Sequence, residues 1–447
     1  MKITKKILIE HFTRFDKIYL VLLFILVISS FLVQNSVFED EKLLNSASYS
    51  HVINSQEISF SNLHYFPVFV FEKFLGDYFY FFPILIGILF LVLIYYFLSL
   101  TSKDKFFRFV FIGLIITTPA TIYALTSLSI VIYFVMLIIF GFLMLNCDNK
   151  KVNYFSILPL IIATYFDFFS SIIVLIFVGV YFLIKRKKYE KMFSIIYFIV
   201  LFVIGILQVV INKQKSILNL VENQGIITNL ISDLGAISGV SFFLLILSIV
   251  GFFSLYKKRK LLWLYLFVPY LFVGYYLNVN YLLYFSFVLI FLATHSICSL
   301  ANRKWSLEGL SKITVWLIVL GIVFSTTTYL DSHEALPTSD NVKTLTWMGN
   351  NLKVEDRVFT QSDFVDIVKY YVKNDVILVQ NDELYSKIYD STYITDLFPV
   401  LEEENINIIY LPNKDELRDS EGLVFLLKNE RFKMIYSSKN SEVWEFN

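Results

Sequence analysis

Residues 18–42 read IYLVLLFILVISSFLVQNSVFEDEK. The run 18–34 contains no charged side chain, and a short polar stretch then leads to three consecutive acids, Glu39, Asp40 and Glu41. An uncharged run of this length approaches the ~20 residues that cross a bilayer as an α-helix. The stretch therefore predicts a membrane span with a cluster of carboxylates just beyond one end.

The rest of the chain shares this apolar character. Of its 447 residues, 57% are hydrophobic and only 17% are charged, whereas soluble domains carry about 25% charged residues. This composition excludes disordered, collagen-like and disulfide-scaffold classes and predicts a polytopic α-helical membrane protein with about 11 transmembrane helices. The segments are 18–34, 79–100, 106–123, 127–146, 154–167, 169–184, 192–211, 237–256, 261–277, 279–299 and 313–330. The short pair around Asp167 is compatible with two crossings or with one broken span.

Basic residues predict the orientation of these segments. With a cytoplasmic N-terminus, 22 lysines and arginines before residue 336 fall inside and four fall outside, which is a strong positive-inside bias. The same bias favours two crossings within residues 154–184. It predicts a multi-pass protein of the cell membrane, with its first span retained as an anchor. An odd number of crossings leaves the C-terminal region outside.

The chain is predicted to have two domains. Residues 1–335 form the transmembrane domain, with external loops 35–78 and 212–236, and residues 336–447 form an extracytoplasmic soluble α/β domain. The second region holds 12 basic and 20 acidic residues, a net charge of −8. Its alternating helical and strand patterns predict a mostly parallel sheet. It has no glycine-rich phosphate loop, and the charge pattern gives no sign of nucleic-acid binding.

The acids Asp40 and Glu41 are the first candidates for chemistry. A carboxylate there can act as a general base that takes a proton from an acceptor hydroxyl. It can equally form the acidic first turn of a helix over 40–53, where negative charge suits the helix dipole. Position alone does not decide between these interpretations. A divalent metal is compatible with the acids, although the residues do not require one, and no metal ligand is assigned.

Other polar residues on the predicted external side are candidates for substrate binding. A phosphate leaving group needs positive charge or hydrogen-bond donors, and external cations are scarce. Each candidate also has an ordinary structural interpretation, as a lysine near lipid head groups, an interfacial histidine or a helix-capping aspartate. The candidates are His64, Lys73, Lys213, Lys215 and Asp167.

Taken in order, these features resemble a known family. The chain has one span, an external loop that opens with Phe38-Glu39-Asp40-Glu41-Lys42, many further spans and an external C-terminal domain. This order of features is similar to that of the GT-C class of membrane glycosyltransferases. Within that class, the closest resemblance is to the protein mannosyltransferase-like and aminoarabinose transferase-like branch. His64-Tyr65-Phe66-Pro67 resembles the family's Lys/His-Pro-Pro element. Thr117-Thr118-Pro119 is similar to its break between the third and fourth spans.

The resemblance implies an inverting glycosyltransferase that uses a sugar linked to a polyprenyl phosphate at the outer membrane face. By this resemblance Asp40 is the catalytic base, Glu41 is its partner and His64 contacts phosphate. The implied partners are the lipid-linked donor, membrane lipid and an envelope acceptor, without nucleic acid. The chain departs from the family in lacking an arginine near the start of 279–299, so no residue there is assigned as a second phosphate contact. It also lacks a Trp-Trp-Asp signature, which disfavours en bloc transfer to asparagine. A transporter or flippase, and an inactive relative that binds a glycan or a partner, are the rival interpretations.

Overall fold

The computed structural model describes most of the helical region and most of the C-terminal region. The described residues are 43, 46–56, 65–102, 104–126, 128–147, 150–164, 168–184, 191–211, 230–234, 239–255, 263–277, 281–302, 308–332, 336–353, 355–372, 387–388, 391, 393–412 and 423–446. They divide into two compact units. Unit 1 takes the described residues within Phe81–His333, and unit 2 takes those within Gln34–Ile58, Tyr65–Tyr80 and Glu334–Asn447.

Helices begin with two in unit 2, α1 (Ser46–Gln56) and α2 (Phe66–Leu75). The helices of unit 1 then follow in chain order. They are α3 (Phe82–Thr101), α4 (Lys105–Thr117), α5 (Pro119–Thr126), α6 (Ile130–Asn146), α7 (Lys150–Phe155), α8 (Ile157–Thr164), α9 (Phe168–Ile184), α10 (Lys191–Ile211), α11 (Phe242–Leu255), α12 (Trp263–Leu277), α13 (Leu282–Ala301) and α14 (Glu308–Ser332).

Apolar helices lie where the sequence predicts membrane spans. Ten of the eleven predicted segments coincide with described helices, and the first, 18–34, lies outside the described residues. Among the described helices, Phe79–Leu100 and Leu282–Ala301 are each long and apolar enough to cross a membrane, and the bent pair Lys105–Thr117 and Pro119–Leu125 passes the same test together. The total of 11 crossings stays a prediction.

The bend between α4 and α5 follows from Pro119. Proline disfavours helical geometry in the residue before it, and Thr118 is extended, with φ −83° and ψ 122°. The two helices meet at 68°. The Thr118 hydroxyl donates to the Leu114 carbonyl at 2.6 Å, which satisfies one of the carbonyl groups at the helix end. The bend lies inside the predicted span 106–123, at the Thr117-Thr118-Pro119 that resembles the family's break between the third and fourth spans.

A glycine lets α11 and α13 approach closely. A Cβ added at Gly251 of α11 would lie 2.0 Å from the carbonyl oxygen of Leu292 in α13. Small residues permit such contacts between membrane helices, where packing rather than water exclusion drives association. The apolar side chains of α13 are largely buried, so this helix runs through the interior of unit 1.

Unit 2 is an α/β unit built around a four-stranded sheet. Its remaining elements are α15 (Ser339–Asn351), β1 (Val358–Phe359), α16 (Val365–Tyr371), α17 (Ile394–Glu403), β2 (Ile408–Leu411), α18 (Leu423–Leu426), β3 (Phe432–Ser437) and β4 (Glu442–Phe446). The strand order is β1-β2-β4-β3. Phe359, Ile409 and Leu411 share one apolar core with Leu397 and Leu401 of α17.

The prediction of a mostly parallel sheet is wrong for the described strands. β1 and β2 pair in parallel, whereas β4 pairs antiparallel with both β2 and β3. The cause is the short connection between β3 and β4, because a turn of a few residues joins only antiparallel neighbours. The strand predicted at 375–379 lies outside the described residues.

Two segments of the predicted first external loop belong to unit 2. The helices α1 and α2 group with the C-terminal residues, and aromatic contacts join Tyr49 of α1 to Tyr370 and Tyr371 of α16. The division of the chain into 1–335 and 336–447 stays a prediction. The joining of these loop helices to the C-terminal residues is a feature that the sequence did not predict.

Candidate functional site

Of the predicted site residues, the structure describes Lys73. The others lie outside the described residues, and they are Asp40, Glu41, His64, Asp167, Lys213 and Lys215. Lys73 is exposed near the C-terminal end of α2. Its ammonium nitrogen lies 5.9 Å from the ring centre of Phe69. The exposed ammonium group can bind an anionic partner. This geometry alone does not distinguish a substrate from a lipid head group.

The chain is anchored directly after the acidic motif. The hydroxyl of Tyr49 donates to the backbone carbonyl of Leu43 at 3.0 Å, and Leu43 follows Glu41 by two positions. Both side chains are buried, with Leu43 4% exposed and Tyr49 0% exposed. A buried hydrogen bond of this kind fixes the backbone because breaking it leaves an unpaired carbonyl. Tyr49 therefore restrains the backbone two positions after Glu41.

Tyr49 belongs to a cluster of three tyrosines. Its ring centre lies 5.0 Å from that of Tyr370 and 5.9 Å from that of Tyr371, and its hydroxyl is 3.4 Å from the Tyr371 hydroxyl. Burial raises the pKa of Tyr49 well above its usual value, and the neighbouring Tyr371 raises it further. The hydroxyl therefore keeps its proton and remains a donor to Leu43.

A half-buried carboxylate, Glu72, lies beside this cluster. The Ser55 hydroxyl of α1 is 3.5 Å from Glu72 Oε2 on α2. Burial raises the pKa of Tyr370, and the negative charge of Glu72 raises it further. The α2 sequence FPVFVFEKFL contains one acid among apolar residues, which is the signal that could have identified Glu72 beside the predicted Lys73.

A second carboxylate, Asp366 of α16, faces Tyr65. Burial raises the pKa of Tyr65, and the charge of Asp366 raises it further. Asp366 also lies 3.9 Å from Lys369. Unit 2 thus combines protonated tyrosine hydroxyls with Glu72, Asp366 and Lys73, and such groups can hydrogen-bond the hydroxyls of a sugar. Among the described residues, no group of three His, Cys, Asp or Glu side chains could hold a metal ion.

In unit 1, Asp233 ties two helices together beside the α4–α5 break. Its Oδ2 accepts a hydrogen bond from the backbone N–H of Phe242 at 2.7 Å, at the start of α11, and its Oδ1 accepts one from the Ser325 hydroxyl of α14. Because both oxygens have protein donors, Asp233 acts as a helix cap and a clamp. Its geometry does not present an unoccupied carboxylate to a substrate.

The break itself is held by neighbouring segments. The Thr326 hydroxyl donates to the Thr117 carbonyl at 2.7 Å, and the Ala120 N–H donates to the Gly239 carbonyl at 2.9 Å. Proline leaves the carbonyls of the preceding turn without their helical partners. The Thr326 hydroxyl of α14 supplies a substitute donor for the Thr117 carbonyl. The Gly239 carbonyl instead accepts from an N–H in the first turn of α5, so the predicted external loop 212–236 is followed by a segment fixed against α5.

Comparisons of sequence find no relative. No protein-family model matches this chain, and no curated protein matches it.

Solved structures do share the fold. The oligosaccharyltransferase of Archaeoglobus fulgidus, solved with zinc and sulfate, superposes with a TM-score of 0.55 at 12% identity over 95% of this chain and 72% of its own. ArnT from Cupriavidus metallidurans superposes in the apo state with a TM-score of 0.53 at 11% identity. Its structure bound to undecaprenyl phosphate gives 0.50 at 11% identity, and both ArnT alignments cover 94% of this chain and 97% of the other.

Both of these proteins are GT-C glycosyltransferases. The alignments include almost the whole chain, and the apolar helices of unit 1 agree with a membrane location. At 11–12% identity the likeness concerns the fold and not individual residues. This chain is therefore a helical membrane protein with the GT-C fold, as its resemblance to that class predicted.

Proposed function

We propose that this chain is an inverting glycosyltransferase that moves a sugar from a polyprenyl phosphate to an envelope acceptor. The observation that carries the proposal is the GT-C fold over nearly the whole chain, shared with ArnT, which has been solved with undecaprenyl phosphate bound. The acceptor class is a glycan, a lipid or a protein. The donor carries a hexosyl or pentosyl group, and no nucleotide cofactor takes part.

The proposed reaction is a single displacement. Asp40 takes the proton from an acceptor hydroxyl while the hydroxyl oxygen attacks the anomeric carbon of the sugar. The bond between that carbon and the phosphate oxygen breaks, and its electron pair leaves with the polyprenyl phosphate. Attack from the face opposite the leaving group inverts the anomeric centre. Glu41 assists Asp40 at the same segment.

The leaving phosphate needs positive charge or hydrogen-bond donors as its own charge develops. We assign this role to His64 and to the external lysines Lys73, Lys213 and Lys215, with Asp167 contacting the substrate. The exposed position of Lys73 supports its part in this assignment. The proposal requires an outer-face reaction, with the N-terminus in the cytoplasm, about 11 crossings of the plasma membrane and residues 336–447 outside the cell.

Anchoring of the acidic segment supports the role of Asp40. A general base has to stay within hydrogen-bond reach of the proton that it removes, and a loop with a free backbone would pay entropy to reach that position. The bond from Tyr49 to the Leu43 carbonyl restrains the backbone next to the acids before any substrate arrives. Tyr49 is thus a positioning residue in this proposal.

Sugar transfer by the purified full-length chain in lipid nanodiscs tests the proposal. Radiolabelled polyprenyl-phosphate sugars and a pool of envelope acceptors would be supplied to the wild type, to Asp40→Asn and to Asp396→Asn, which alters an exposed acid of α17. We expect transfer in the wild type and Asp396→Asn, and a loss of about 10²–10⁴-fold in Asp40→Asn, the usual contribution of a positioned base.

The three outcomes separate the parts of the proposal. Loss of transfer in Asp40→Asn with an unchanged melting temperature supports both the reaction and its base. Transfer that survives Asp40→Asn contradicts the base assignment and leaves the reaction standing. Failure of every donor to give product with the wild type contradicts the glycosyltransferase function, and it favours a transporter or an inactive relative.

A further inference from the structure

The helix α2 presents apolar side chains on the surface of unit 2. Phe66, Val70 and Phe74 recur at every fourth position, so they lie on one side of the helix. Their side chains are 51%, 40% and 81% exposed. Val68 is two positions from Val70, which places it on the opposite side of the helix, and it is buried. Phe66, Val70 and Phe74 thus form an uncovered apolar face of α2.

The two charged residues of α2 lie on different sides of the helix. Lys73 is exposed and follows Val70 by three positions, so it borders the apolar face. Glu72 is half-buried, and its Oε2 lies 3.5 Å from the Ser55 hydroxyl of α1. The exposed side of α2 therefore combines apolar side chains with a positive charge. Helices that lie in the interface of a phospholipid bilayer have this combination.

The chain holds α2 close to a membrane span. The helix ends at Leu75, and the apolar segment Phe79–Leu100, which is long enough to cross a membrane, begins four residues later. Four residues reach at most about 14 Å even when fully extended, and the connection here is a 3₁₀-helix (Gly76–Phe81), which is shorter. The end of α2 therefore stays within about 14 Å of the start of the span, about half the ~30 Å thickness of the hydrocarbon core.

A turn at Gly76 separates α2 from this span. Gly76 has φ 54° and ψ −123°, and its N–H donates to the Glu72 carbonyl. Glycine adopts a positive φ at little cost because it has no Cβ. The turn makes α2 a separate helix and not the first turns of the span, so its apolar face needs a covering of its own.

Membrane lipid is the partner that fits this face. A contiguous exposed group of large apolar side chains marks a surface for protein or membrane binding. A helix of 10 residues is about 15 Å long and about 10 Å wide, and one side of it offers far less than the ~800 Å² that each partner buries in a stable protein complex. Acyl chains require no such matching surface, and lipid phosphates carry the negative charge that complements Lys73.

We propose that α2 is an interfacial anchor, whose apolar face inserts among the lipids of the outer leaflet while Lys73 binds their phosphate groups. The choice of leaflet follows from the orientation predicted for the loop 35–78. The anchor holds unit 2, with the bond from Tyr49 to Leu43, at the membrane surface. The phosphate of a polyprenyl-linked donor lies at the same depth, which is compatible with the role assigned to Lys73, but the anchor does not depend on transfer activity.

Nitroxide depth measurements in lipid nanodiscs test the anchor. The full-length chain without Cys147 and Cys298 carries one spin label, at Phe74→Cys or, as a control, at Tyr393→Cys, where the side chain is 67% exposed beside α17. Oxygen concentrates in lipid, whereas a nickel chelate stays in water. We expect the ratio of oxygen to nickel accessibility to be about tenfold higher at position 74 than at position 393, because an interfacial helix buries its apolar face in the acyl boundary.

The outcomes distinguish lipid from the other possible surroundings. Equal ratios at positions 74 and 393 place Phe74 in water and overturn the anchor. Low accessibility to both reagents at position 74 places it under protein and also overturns the anchor. We expect a label at Phe66→Cys to lie at a depth similar to that at Phe74→Cys. A depth difference near the ~12 Å that separates eight residues along a helix would mean that α2 stands upright, which contradicts the proposal.

Photo-crosslinking of the unaltered chain gives a second readout, in case a cysteine variant fails to fold. The probe is phosphatidylglycerol with a diazirine near the carbonyl end of one acyl chain, and labelling of α3 is the positive control. We expect peptides from α2 to be labelled about fivefold more than peptides from α17, because only α2 lies in the acyl boundary. Equal labelling of α2 and α17 overturns the proposal.

Discussion

At the level of single residues, Tyr49 links the acidic segment to the rest of unit 2. Its side chain is fully buried, so its hydroxyl cannot exchange the Leu43 carbonyl for water. Removal of one partner from such a pair costs about 1–3 kcal/mol, because the other partner remains buried without a hydrogen bond. The effect should therefore be visible in both folding and any reaction that depends on Asp40.

We expect Tyr49→Phe to weaken unit 2 and to lower sugar transfer by roughly tenfold, the equivalent of about 1.4 kcal/mol. The ring contacts with Tyr370 and Tyr371 remain, and only the hydroxyl is lost. Transfer rates and limited proteolysis of the full-length chain would measure the two effects. Tyr393→Phe, at a side chain that is 67% exposed, is the control. Identical behaviour of the two variants would contradict the positioning role.

The sequence singled out Lys73 as a candidate, and it did not single out Tyr49 or Glu72. Lys73 was predicted as an external cation, and it is exposed on α2. Tyr49 was missed because one tyrosine among 29 carries no local signal, and Glu72 was missed although it is the one acid among the apolar residues of α2. Their importance comes from contacts between positions 322 apart in the chain, as with the hydroxyls of Tyr49 and Tyr371, and no local pattern records such contacts.

At the level of secondary-structure elements, the sequence predicted the helices well and the sheet less well. A helix of apolar residues and a Pro-induced break depend on neighbouring residues, so both could be predicted from residues 106–123. Strand pairing depends on which strands, far apart in the sequence, lie side by side in the sheet. The alternation of helices and strands predicted a mostly parallel sheet. The short β3–β4 hairpin instead makes that pair of strands antiparallel.

Close contact between α11 and α13 leads to a prediction about glycine. We expect Gly251→Ala to lower the melting temperature, because the new methyl group would meet the Leu292 carbonyl at 2.0 Å and overpacking costs about 1–3 kcal/mol. Gly179→Ala of α9 is the matched control, since its nearest neighbour would be Phe198 at 3.8 Å. Thermal unfolding in detergent would compare them, and equal melting temperatures would refute the close packing.

At the level of the whole molecule, the proposal requires unit 2 to lie outside the cell. Lys439→Cys places a thiol in the exposed turn between β3 and β4. In a background without Cys147 and Cys298, we expect a membrane-impermeant maleimide to label this thiol on intact cells. In a separate chain that keeps Cys147 and lacks the Lys439→Cys change, Cys147 should react with the same reagent only after permeabilisation. Labelling of Lys439→Cys only in lysed cells would reverse the predicted orientation and remove the basis for an outer-face reaction.

The joining of α1 and α2 to the C-terminal residues has a consequence for biosynthesis. Residues are added at about 5–20 per second, and Tyr49 precedes its contact Tyr371 by 322 positions. The early segment therefore waits roughly 15–60 s after its own synthesis before its packing partner exists. Through that interval Tyr49 lacks the rings of Tyr370 and Tyr371, which pack against it in the folded chain. The packing around Tyr49, whose hydroxyl binds the Leu43 carbonyl, is thus completed only after Tyr370 and Tyr371 have been made.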